Sequence, residues 1–102
     1  MKVALALLLL AAAGPSLRPP LTEDFLVQLG ASRSEADAAH SWIVIRDRAG
    51  GVLDALKPEI TPVDVPRKGK LWRLRAGPID PAGAVSVCAR LKALSIDCIV
   101  VH

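Results

Sequence analysis

Three polar side chains stand out by their position. Gln28 sits between Val27 and Leu29, and Arg73 and Arg75 alternate with Trp72, Leu74 and Ala76. In an extended chain successive side chains point to opposite faces. If the apolar sets pack inward, Gln28, Arg73 and Arg75 project together from the other face of a sheet. An amide and two guanidiniums can hydrogen-bond sugar hydroxyls, N-acetyl groups and carboxylates. A solvated sheet face without a ligand shows the same alternation, and on pattern alone it is the commoner cause.

Other reactive groups point to no catalytic arrangement. The chain has no GxSxG, no HExxH and no phosphate loop of the P-loop or Rossmann type. No carboxylate pair stands out from the scattered acids, so neither an enzyme nor a cofactor is expected. Nine residues separate Cys88 from Cys98, which is not redox CxxC spacing. His40 and His102 lie far from both in sequence, so a zinc site is unsupported. Arg67, Lys68, Lys70, Arg73 and Arg75 form a run without an intervening acid. Such a run can attract an anionic polymer, but by itself a charged hairpin tip is the commoner cause.

These side chains must be positioned by a small body. The chain has 102 residues and a net charge of +3, and 52% of it is apolar. That length allows one domain, and that composition excludes a disordered polar chain. Residues 1–13 hold twelve apolar residues and Lys2. The uncharged run from Val3 to Ala13 is too short for a bilayer, which needs roughly 20 residues. Ala11, Ala12 and Ala13 offer small residues for a signal peptidase, and Gly14-Pro15 follows. The reading is a signal peptide over 1–13, a linker over 14–24 containing Pro19-Pro20, and a domain over 25–102. Export to the periplasm, with no stable membrane anchor after cleavage, argues against a nucleic-acid partner.

Within the domain, Phe25, Val27 and Leu29 predict a strand stopped by Gly30. Ser32 to Glu35 reads as a capping box. Ala38, Trp42 and Ile45 then define a helix face that Ile43 and Val44 widen, until Gly50-Gly51 ends it. Residues 52–56 allow a further helical turn. Ile60, Val63 and Val65 predict a strand at a sheet edge, because Pro62 and Pro66 interrupt it. Residues 66–69 form a turn. Residues 72–76 form a third strand, ended by Gly77-Pro78. Asp80-Pro81 is an N-cap with proline at the first helical position. Ala84, Val87, Cys88, Leu91 and Leu94 mark the buried face of that helix, and residues 97–102 form a last short strand.

The order is βαββαβ, and its halves repeat. Phe25-x-Val27-x-Leu29-Gly30 matches Trp72-x-Leu74-x-Ala76-Gly77, 47 positions later. Two such halves predict an α+β fold of the ferredoxin-like split βαβ type: a four-stranded antiparallel sheet with two helices on one face. The first and third strands are then central, and Gln28, Arg73 and Arg75 meet at mid-sheet on the open face. Helix rise and strand reach allow Cys88 and Cys98 to end level. They form either a disulfide or two unpaired buried thiols, and an oxidising compartment favours the disulfide.

The chain resembles the SPOR (sporulation-related repeat) domain. The family's first-strand pattern, aromatic-x-Val-Gln-Leu-Gly-Ala, is present as Phe25 to Ala31. Its third-strand pattern, aromatic-Arg-Leu-x-x-Gly-Pro, is present as Trp72 to Pro78. An Ala-x-x-x-Cys-x-x-Leu-Lys segment follows at Ala84 to Lys92, and Asp-Cys-Ile-Val at Asp97 to Val100. The resemblance covers residues 25–102. It implies a βαββαβ fold and non-catalytic binding of peptidoglycan, notably glycan strands stripped of stem peptides at division sites, through the open sheet face. Carried over by position, it points to Gln28 and Arg73. Geometry adds Arg75, and Ser32 is a weaker member because it has a capping role available. This sequence departs from the pattern in three ways. The segment from Gly77 to Ala84 is one residue short, Ala31 stands where many members carry Ser, and the open face is poor in aromatics.

Two functions are therefore expected in order. The first is an exported cell-envelope module that binds peptidoglycan glycan strands, with envelope or division proteins as further partners. The alternative is a protein-interaction adaptor that kept the fold and lost the sugar site.

Overall fold

A computed structural model describes residues 25–102. The expected signal peptide (1–13) and linker (14–24) lie outside the described residues. The elements are β1 (Phe25–Ser32), α1 (Glu35–Ala49), β2 (Lys57–Val65), β3 (Gly69–Ile79), α2 (Pro81–Ala93) and β4 (Ile99–Val101). The strands form one sheet in the order β2-β3-β1-β4, every neighbour antiparallel. This is the expected βαββαβ layout, with β1 and β3 central and the proline-bearing β2 at an edge.

Both helices cover the same sheet face. Ala38 and Trp42 of α1, and Ala84, Cys88 and Leu91 of α2, join Val27, Leu29, Leu74 and Ala76 of the sheet in one buried cluster. Burial of these apolar groups is the main term holding the layers together. Cys88 and Cys98 are disulfide-bonded and both buried, which ties α2 to the segment entering β4. Arg48, near the end of α1, donates from Nη2 to the Leu94 carbonyl at 3.2 Å and joins the far ends of the two helices.

Several local expectations are corrected. β1 does not stop at Gly30 but runs to Ser32, whose backbone lies opposite Trp72 in the ladder. Ser32 therefore does not cap α1. The cap is Ser34, whose hydroxyl accepts from the Asp37 backbone N–H at 3.0 Å. Ile43 and Val44 do not widen the buried face and are 59% and 42% exposed. At 100° per residue they rotate away from the Ala38–Trp42 stripe toward solvent. Gly50, in the left-handed region at φ 58°, closes α1 as expected.

The chain then makes consecutive i+3 turns instead of a helix, and these bury Leu53 completely. β3 is longer than expected and passes through Gly77-Pro78 to Ile79. A Cβ at Gly77 would lie 2.6 Å from Leu26 Cδ2 and 3.0 Å from the Phe25 carbonyl, so glycine permits β1 to come this close. Asp80 caps α2, its carboxylate accepting from the Gly83 N–H at 3.3 Å. Leu94 is not on the buried face. It follows the helix as its C-cap and is 44% exposed. The last strand holds three residues, Ile99 to Val101.

Candidate glycan-binding face

The open face is built by register. Residues directly opposite in an antiparallel ladder project to the same side. Leu74 and Ala76 are buried under the helices, so Arg73 and Arg75 project to the open side. Gln28 lies opposite Arg75 in the β1–β3 ladder, and Glu59 lies opposite Arg75 in the β2–β3 ladder. Arg73 lies between Ala31 of β1 and Thr61 of β2. The expected polar group at mid-sheet is therefore present.

Two of its members are in contact. Arg75 Nε donates to Gln28 Oε1 at 2.9 Å, and both side chains are half-buried. These positions are 47 residues apart, the spacing of the two sequence halves. The bond uses the amide's only acceptor and one of the guanidinium's five donors. It leaves the Gln28 NH2 and the Arg75 Nη groups as a donor array of fixed orientation. Arg73 adds a second guanidinium two positions away on the same strand face, about 7 Å along the strand. Such an array suits ligands rich in acceptor oxygens, including acetamido carbonyls, hydroxyls and carboxylates.

Ser32 does not join this group. The ladder pairs Gln28 with Arg75 but Gly30 with Leu74, so Leu29 is an extra residue on β1. This bulge reverses the alternation beyond it. Ala31 thereby takes the open-face place beside Arg73, and Ser32 falls on the helix side, opposite Trp72. The basic run is divided by the same logic. Arg67 and Lys68 lie in the β2–β3 turn, and Lys70 shares the phase of Trp72, with its Nζ 5.9 Å from the ring centroid. Only Arg73 and Arg75 of the run lie on the open face.

Sequence reasoning missed the apolar part of this face. Ile99 lies opposite Gln28 and Val101 opposite Leu26 in the β1–β4 ladder. Ile99 is 59% exposed, and its only sequence signal is its place in a short β-branched strand. Among the described residues no group of three or more His, Cys, Asp or Glu side chains is placed to hold a metal ion. No described helix is long and apolar enough to cross a membrane.

No curated protein matches the chain. A similar solved structure is the solution structure of the peptidoglycan binding domain of the B. subtilis cell wall lytic enzyme CwlC. It is 20% identical, with a TM-score of 0.48, over 76% of this chain and 85% of that one. The model of the SPOR domain family matches residues 21–102, which include every described residue. The chain belongs to the SPOR domain family.

Proposed function

We propose that this protein is a non-catalytic cell-envelope module that binds peptidoglycan glycan strands across the open face of its sheet. Membership of the SPOR family supports peptidoglycan as the ligand. The observation that carries the site is the Gln28–Arg75 pair, with its free donors held on the face away from both helices. Arg73 extends it along β3. Loss of the stem peptide leaves a carboxylate on the glycan, which two guanidiniums can bind. This chemistry favours denuded strands. The reading includes export through the leader at 1–13, a linker at 14–24, and action in the periplasm.

Cosedimentation with purified sacculi, intact and amidase-stripped, tests this. The protein is expected in the pellet, with stronger retention on stripped material. Gln28→Ala combined with Arg73→Ala is expected to weaken retention at least severalfold with an unchanged circular dichroism spectrum. Unchanged binding by the folded double variant would remove the site assignment.

A second reading rests on the aliphatic margin of the same face. Leu26, Ile99 and Val101 lie on one side of the polar group, and Val63 and Leu71 on the other. Such a surface also suits a protein partner, and among the described residues the face lacks the aromatics on which sugars stack. Envelope crosslinking to one protein, with no retention on either form of sacculus, would favour an adaptor.

A further inference from the structure

β4 and β1 pair only at Leu26↔Val101, Val27↔Val100 and Gln28↔Ile99. Beyond Gln28 the segment at Asp97 and Cys98 makes no ladder pair with β1, and among the described residues no strand pairs with β1 on that side. A cleft of about 510 Å³ opens there. Leu29, Gly30, Lys92, Asp97, Cys98 and Ile99 line it, and Gln28 is shared with the polar group. A Cβ at Gly30 would meet nothing within 4 Å, so the space begins at the backbone itself.

Resting on the proposed glycan reading, we propose that this cleft is a second subsite, which takes the acetamido group of a sugar next to the one held by Gln28 and Arg75. Three features fit that group. A strand edge presents unpaired N–H and C=O groups, and a secondary amide supplies the matching acceptor and donor. The aliphatic walls at Leu29 and Ile99 accept the acetyl methyl. Gln28 places this edge beside the donor array, so one chain reaches both. An extended peptide would also seek a strand edge, but the free stretch of β1 is short, from Gly30 to Ser32. Three residues of ladder favour a single amide over an added strand.

The test is an NMR titration of the amide-labelled protein with tri-N-acetylchitotriose and with cellotriose, which keeps neutral rings and hydroxyls but lacks acetamido groups. The acetylated trimer is expected to shift the backbone amides of Gly30, Cys98 and Ile99 together with the side-chain NH2 of Gln28. Cellotriose is expected to leave the first three unmoved. Gly30→Leu, which fills the cleft from an unobstructed position, is expected to weaken binding of the acetylated trimer about 5-fold or more. Equal shifts with both sugars, or shifts at Gln28 with Gly30 and Ile99 unmoved, overturn the subsite while leaving the open-face reading intact. Shifts at Gly30 and Ile99 with a free stem peptide but not with the sugar also overturn it. Absence of any shift, together with no retention on sacculi, overturns both readings.

Discussion

Removing the Cys88–Cys98 bond perturbs the fold at the point where α2 and β4 are joined. The bond closes a loop with a sequence separation of 10. The chain-entropy relation for such a loop gives about −9 cal/mol/K in the unfolded state, or about 2.7 kcal/mol at 25 °C. The described body has 78 residues (25–102), and unfolding entropy near 2.1 cal/mol/K per residue makes its total about 160 cal/mol/K. Loss of the cross-link is then expected to lower Tm by about 16 °C. Cys88→Ala with Cys98→Ala also removes the sulfurs of two residues that are only 5% and 3% exposed, and this adds roughly 1 kcal/mol of packing loss. Thermal unfolding of the native protein with and without reductant isolates the cross-link, and the double variant measures the sum. A shift below about 5 °C on complete reduction, verified by thiol titration, would refute the reasoning. It would mean that the buried α2–β4 contacts hold the unit without the covalent tie. Ile99 follows Cys98 directly, so reduction is also expected to weaken amide protection in β4 before β3 is affected.

Two further substitutions test how the local structure is held. Ser34→Ala is expected to cost about 1 kcal/mol in urea denaturation through loss of the α1 cap, whereas Ser32→Ala leaves that cap intact. An equal loss from both variants would contradict the capping assignment. Gly77→Ala is expected to destabilise by about 1–3 kcal/mol, because its Cβ would press on Leu26 and on the Phe25 carbonyl. A neutral Gly77→Ala would show that β1 and β3 can separate there without loss.

Much of the fold was legible in short-range pattern. The 3.6-residue recurrence of Ala84, Cys88 and Leu91, with Asp80-Pro81 before it, defined α2 and its start. The prolines of β2 placed it at an edge. The internal repeat made β1 and β3 the central strands and so brought Gln28, Arg73 and Arg75 to mid-sheet. Where pattern misled, a neighbouring element decided. Ile43, Val44 and Leu94 are as apolar as core residues, but among the described residues no element covers them and they stay exposed. Glycine and proline at 77 and 78 read as a strand end, yet β3 continues because β1 comes close enough to pair with it.

By itself the sequence determined the order of elements, the inward set of side chains and the outward placement of Gln28, Arg73 and Arg75. These follow from local periodicity, which depends on bond geometry alone. Tertiary structure alone decided what those side chains meet. The extra residue at Leu29 arises from the register of β1 against β3, and it moves Ser32 off the open face and Ala31 onto it. The exposure of Ile99 beside Gln28, the 2.9 Å bond from Arg75 to Gln28 and the cleft beyond it depend equally on where separate strands come to lie. Register is a property of paired strands, and no single segment carries it.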